Sequence, residues 1–182
     1  MMGILPTVYR TIRIYFLGSI PGDWGYNIAS QLTWLNVTYE VVHEALMLPM
    51  FFLIGRYVND KDQFSDVVSN GLVLILALYG SLTLVTVGLA APMVELMAQR
   101  PDLVTATVTY IRFESVGLAL ASFARFFALV LIILKRDSLL LVLLCVQVAL
   151  SIALDALFVS ALPISLKLGV NGVAFTNILV NA

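Results

Sequence analysis

Few residues in this 182-residue chain can do chemistry, and most of those lie in apolar surroundings. Glu40, His43 and Glu44, with Asn36 one turn earlier, recur at spacings of three and four, which puts them on one stripe of a helix. Two carboxylates and an imidazole on one face can hold a proton or a cation. The same stripe also suits a face turned to water near a helix end or to a partner lobe, and both readings stand at this point. Glu40-x-x-His43 has the spacing of half a carboxylate di-iron site. His43 is the only histidine, so the second Glu-x-x-His pair is missing and no metal is assigned.

Asp155 is the only charge in a long apolar run, and Ser151 and Gln147 precede it at helical spacings on the same side. An isolated carboxylate in such a run is a functional candidate by default, or else a structural partner for Arg112 or Arg125. Glu114 and Arg125, eleven residues apart, return to one helix face too far along to pair. The reading here is that Arg125 snorkels or pairs across helices and that Glu114 sits near an interface, both in structural roles. No phosphate-binding glycine loop, nucleophile elbow or His-Glu-x-x-His motif is present, so the sequence does not read as an enzyme and calls for no cofactor.

The elements that position these residues follow from composition. Hydrophobic residues make up 61% and charged ones 12%, and mean hydropathy is +1.01; soluble domains carry about a quarter charged residues. A net charge of −1 offers no field for nucleic acid, and the lone Cys145 allows no internal disulfide. The expected fold class is all-α, a polytopic membrane bundle of about six transmembrane helices. A span needs about 20 apolar residues. Gly, Pro and charge punctuation predicts spans near 4–20, 28–58, 67–97, 103–134, 138–161 and 168–182, a single transmembrane lobe. The first and last are short, which suggests a piece of something longer or an end packed on a partner. Trp24, Tyr26 and Trp34 fit an interfacial belt, and Pro49 lies inside the second span.

With the N-terminus in the cytoplasm, that side holds Arg10, Arg13, Arg56, Lys61, Lys135 and Arg136, against Arg100 and Lys167 opposite. The bias predicts both ends inside, in a plasma (inner) membrane.

Tyr110-Ile111-Arg112-Phe113-Glu114-Ser115-Val116-Gly117-Leu118 resembles the opening of the fourth span in the multidrug and toxic compound extrusion (MATE) transporters. Leu154-Asp155-Ala156-Leu157-Phe158-Val159 is similar to that family's "L-D-P-L-F-I" in the fifth span. Leu162-Pro163 and the stretch from Leu168 to Asn177 resemble its approach to the sixth, and Pro49 with Ile54-Gly55-Arg56-Tyr57 the end of its second. The ordered set covers most of residues 28–182 and corresponds to the N-terminal six-helix lobe of a two-lobe family.

The resemblance implies secondary active efflux of amphipathic, often cationic organic compounds by H⁺ or Na⁺ antiport. It implies alternating access against a second lobe or a second copy of the chain, with membrane lipid around both. In one branch, acids in the first and fifth spans form an ion site completed by Asn and Thr. Carried over, these give Asp155, Ser151 in place of Asn, and Asn177 in place of Thr. The first-span acid falls near Arg13, so it is absent, and Glu40 or Glu44 is a candidate substitute. The expected ion-coupling set is therefore Asp155, Glu40, Glu44 and His43, with Ser151, Asn177, Asn36 and Gln147 lining the cavity. Two other readings stand beside it: a lipid-linked-sugar flippase of the same superfamily, and a non-transporting assembly subunit.

Overall fold

The computed structural model describes residues 11–16, 32–160 and 163–182. Every regular element among them is helical. Residues 11–16 form a helical segment. It is followed by α1 (Thr33–Arg56), α2 (Lys61–Leu96), α3 (Val104–Ile133), α4 (Asp137–Phe158) and α5 (Val170–Asn181). Four of these, α1 to α4, are long and apolar enough to cross a membrane. Leu84, Leu96, Val142 and Phe52 are among the many large apolar side chains left exposed, a surface that suits hydrocarbon and not water. The chain is an all-α, polytopic membrane helical bundle. The predicted first span falls largely outside the described residues, as do Arg10, Trp24 and Tyr26.

Local chemistry sets the helix ends. Asp60 caps α2, one carboxylate oxygen accepting from the Gln63 backbone N–H at 3.2 Å and the other from the Gln63 side-chain amide at 2.7 Å. That two-point cap lets the polar stretch after Asn59 become the first turns of a helix. As a result α2 begins six residues before the apolar run at 67. At 36 residues it is about 54 Å long, well beyond a hydrocarbon core of about 30 Å.

The C-termini of α2 and α3 close alike. Ala98 and Lys135 take left-handed conformations at φ 52° and 54°. Gln99 N–H donates to Val94 C=O, and Arg136 N–H to Leu131 C=O. These are six-residue Schellman closures without the usual glycine.

α3 is the central element, and α1, α2, α4 and α5 all pack on it. Its buried positions include Ser115, Gly117, Ala119 and Ser122. Small residues of this kind let helix backbones approach in a bilayer, where no hydrophobic force separates helix from lipid. At Gly117 a β-carbon would stand 3.1 Å from Asn177 Cβ, so α5 lies directly against α3. Phe113 and Phe175 stack across the same interface, ring centres 4.8 Å apart. On the other side, Gly71 of α2 faces Met50 of α1 and Phe126 of α3. Gly169, at φ +61°, turns the chain into α5.

Candidate functional site

Asp155 lies near the end of α4 with its side chain 1% exposed. Its carboxylate accepts from Arg13: Nε at 2.9 Å to Oδ2 and Nη2 at 3.4 Å to Oδ1. The geometry is a two-point guanidinium–carboxylate pair in a desolvated place. Two readings change here. Asp155 is not the partner of Arg112, whose Nε donates to Val87 C=O at 3.3 Å, nor of Arg125. Arg13 is not a flanking cytoplasmic charge, because its side chain is 17% exposed and turned into the bundle. Without it the charge bias falls to five against two. The position where the family resemblance expects an acid therefore carries a base, and that base neutralises the fifth-span Asp.

Beside this pair, with Arg13 on its wall and Asp155 behind it, the helices line a partly open cavity of about 630 Å³, walled by residues 11–16, α1, α3, α4 and α5. Among the described residues, α2 contributes nothing to its wall. The polar lining is Asn36, Tyr39 and Glu40 from α1, Glu114, Ser122 and Arg125 from α3, Gln147 and Ser151 from α4, and Asn177 and Asn181 from α5. The spacing of four along α4 brings Ser151 over Gln147, whose backbone C=O accepts from the serine hydroxyl at 2.7 Å. The Gln147 amide then donates to Asn181 Oδ1 at 2.9 Å. Asn181 Nδ2 donates to the Asn177 backbone C=O at 2.7 Å. This is a continuous amide ladder across α4 and α5.

Asn177 lines the cavity as expected, but its amide bonds Glu114 and not the Asp155 site that the resemblance implies. Its amide nitrogen donates to both carboxylate oxygens of Glu114, at 2.8 and 2.9 Å. Glu114 is 8% exposed, buried between α3 and α5. Periodicity along its own helix offers Glu114 no partner, Arg125 being eleven residues away, so the sequence assigns it a structural role and no place in the site. The available signal was Gly117 one turn on: the missing side chain admits α5, and with it Asn177.

The α1 stripe is divided. Asn36 and Glu40 face the main cavity. Glu40 Oε2 accepts from Arg125 Nη1 at 3.2 Å, with side chains 56% and 47% exposed, which realises the cross-helix option for Arg125. His43 and Glu44 line, with Glu40, Met47 and Leu48, a separate open depression of about 480 Å³. His43 Nδ1 is buried without a hydrogen-bond partner among the described residues. Among those residues no three His, Cys, Asp or Glu side chains gather as a metal set.

No protein-family model matches the sequence, and a search of curated proteins finds no match. The fold is similar to a crystal structure of MATE in complex with MaD3S, with a TM-score of 0.86 at 18% identity. The alignment covers 97% of this chain and 39% of that one, so the chain spans about two-fifths of that protein's length. At that identity the likeness establishes the fold: this chain is folded as a MATE lobe.

Proposed function

We propose that this chain is one lobe of an ion-coupled exporter of amphipathic, preferentially cationic organic compounds, working by alternating access against a second lobe or a second copy. The supporting observation is the cavity in a bundle of MATE-type fold, its largely apolar wall set with charged side chains from several helices. Midplane sites between helices are where secondary transporters hold substrate and coupling ion. The charges at and beside the cavity are Arg13 and Arg125 against Asp155, Glu40 and Glu114. Three carboxyls against two guanidiniums favour a cationic guest over an anionic one.

Both cavity arginines are already engaged by carboxylates. A pyrophosphate headgroup needs cationic groups turned toward it, so this argues against the flippase reading. Asp155 is the proposed coupling carboxylate for inward H⁺ or Na⁺, exchanging Arg13 for the ion as the lobe changes state. Glu40 on the cavity wall, and Glu44 and His43 in the adjoining depression, are subsidiary acid and base groups. Asn36, Gln147, Ser151 and Asn177 supply neutral hydrogen bonds to the guest. The proposed setting is the plasma (inner) membrane with a cytoplasmic N-terminus.

The test is gradient-driven export of a lipophilic cation from cells or proteoliposomes carrying the full chain, wild type against Asp155→Asn. Loss of export with folded protein retained is expected. Unchanged export in the variant overturns the coupling role, and absence of export in the wild type favours the assembly-subunit reading.

A further inference from the structure

The carboxyls of the cavity are not equivalent. Asp155 has the Arg13 guanidinium at 2.9 Å, and Glu40 has that of Arg125 at 3.2 Å. Glu114, also buried, is hydrogen-bonded instead by a neutral amide, that of Asn177. Arg13 acts on Glu114 only from beyond hydrogen-bond range and is itself paired to Asp155. A buried carboxylate hydrogen-bonded only by a neutral amide is costly in an apolar medium, and taking up a proton removes that cost. We propose that Glu114, together with Asn177, is a proton-binding site of the cavity, separate from Asp155.

Asn177 is suited to both states of such a site. A side-chain amide carries donors on nitrogen and acceptors on oxygen. When Glu114 is ionised, Nδ2 donates to both its oxygens, the arrangement seen here. When Glu114 is protonated, a turn of the amide lets Oδ1 accept the carboxyl O–H while Nδ2 still donates to the carboxyl C=O. Either state keeps two hydrogen bonds, so proton exchange leaves no buried polar atom orphaned.

A metal cation is served less well. It needs several oxygen ligands, and beside its own two carboxylate oxygens Glu114 has at hydrogen-bond range, among the described residues, only the single amide oxygen Asn177 could turn toward it. The cavity wall gives the proton a route, because Glu114 itself lines it. The other ionisable groups on that wall are Arg13 from residues 11–16, Tyr39 and Glu40 from α1, and Arg125 from α3; Asp155 of α4 lies behind Arg13. α5 adds only the neutral Asn177 and Asn181, and α2 adds nothing to the wall among the described residues.

Protonation here removes the one surplus negative charge, so a proton and a cationic guest compete. That use of the proton rests on the transport reading above, while its binding does not.

Infrared pH-difference spectra of the full chain in lipid, without substrate or gradient, test the site. Wild type is expected to show a neutral-carboxyl C=O band that titrates and that Glu114→Gln abolishes. Glutamine keeps the volume and a hydrogen bond to Asn177, and retained helical amide absorbance confirms that the variant is folded. Asn177→Leu leaves the acid in place, so the band persists but moves to higher frequency as its hydrogen bond is lost.

The assignment is overturned if the band survives in Glu114→Gln, or if Asn177→Leu leaves it unmoved. It is also overturned in favour of a metal-cation site if NaCl at fixed pH, against choline chloride, discharges the band. A band that behaves as expected in a chain that exports nothing upholds the proton site and removes the transport reading alone.

Discussion

Replacing Arg13 by Met isolates the energetics of the Arg13–Asp155 pair. At 2.9 Å and an effective dielectric of about 20, the bare attraction is about 6 kcal/mol. Much of that is offset by stripping water from both ions, so the intact pair adds little net stability. Breaking it is different. The Asp155 side chain is 1% exposed, and Arg13→Met leaves its carboxylate without the guanidinium, a loss of about 3–5 kcal/mol. Asp155→Leu leaves Arg13, which at 17% exposure has some access to solvent, and costs about 1–3 kcal/mol.

The double variant Arg13→Met/Asp155→Leu removes both charges and fills the space with apolar groups, returning to within about 1 kcal/mol of wild type. Reversible unfolding in mixed micelles, followed by tryptophan fluorescence, completes the cycle. The expected coupling is at least about 2 kcal/mol. If the two single effects add to within about 0.5 kcal/mol in the double variant, the pair is screened by water and the argument from burial fails.

Two further substitutions probe the frame around the site. In Gly172→Ala the new β-carbon meets Phe158 Cβ, Phe158 O and Val159 Cγ2, each at 3.0 Å. Backbone cannot fold aside, so α5 shifts from α4 at a cost of about 1–3 kcal/mol, and unchanged unfolding in the same micelles would contradict that packing. Ala98→Gly relieves the left-handed strain at φ 52° that closes α2, and raises stability by about 0.5–1 kcal/mol; a destabilised variant would count against the closure described.

Much of the architecture was legible because a bilayer imposes it. A long apolar run with polar punctuation has few options other than a helix, since backbone groups in hydrocarbon must satisfy one another. Spacing likewise placed Gln147, Ser151 and Asp155 on one side of α4, and Ser151 does bond to Gln147. Helix ends were less legible: α2 starts early because Asp60 and Gln63 cap it, and two helices close on Ala98 and Lys135 where a glycine would have been the readable sign.

By itself, then, the sequence determined the solvent, the helical class, and which few polar side chains had to find company inside an apolar bundle. Periodicity fixes the face of a residue on its own helix. It carries no information about which other helix comes to that face. Only the tertiary structure decided that Asp155 meets Arg13 from 142 residues away, that Arg125 takes Glu40, and that Gly117 brings α5 close enough for Asn177 to reach Glu114. Those pairings depend on helix order and crossing, and they separate a carboxylate held by a guanidinium from one left to a neutral amide.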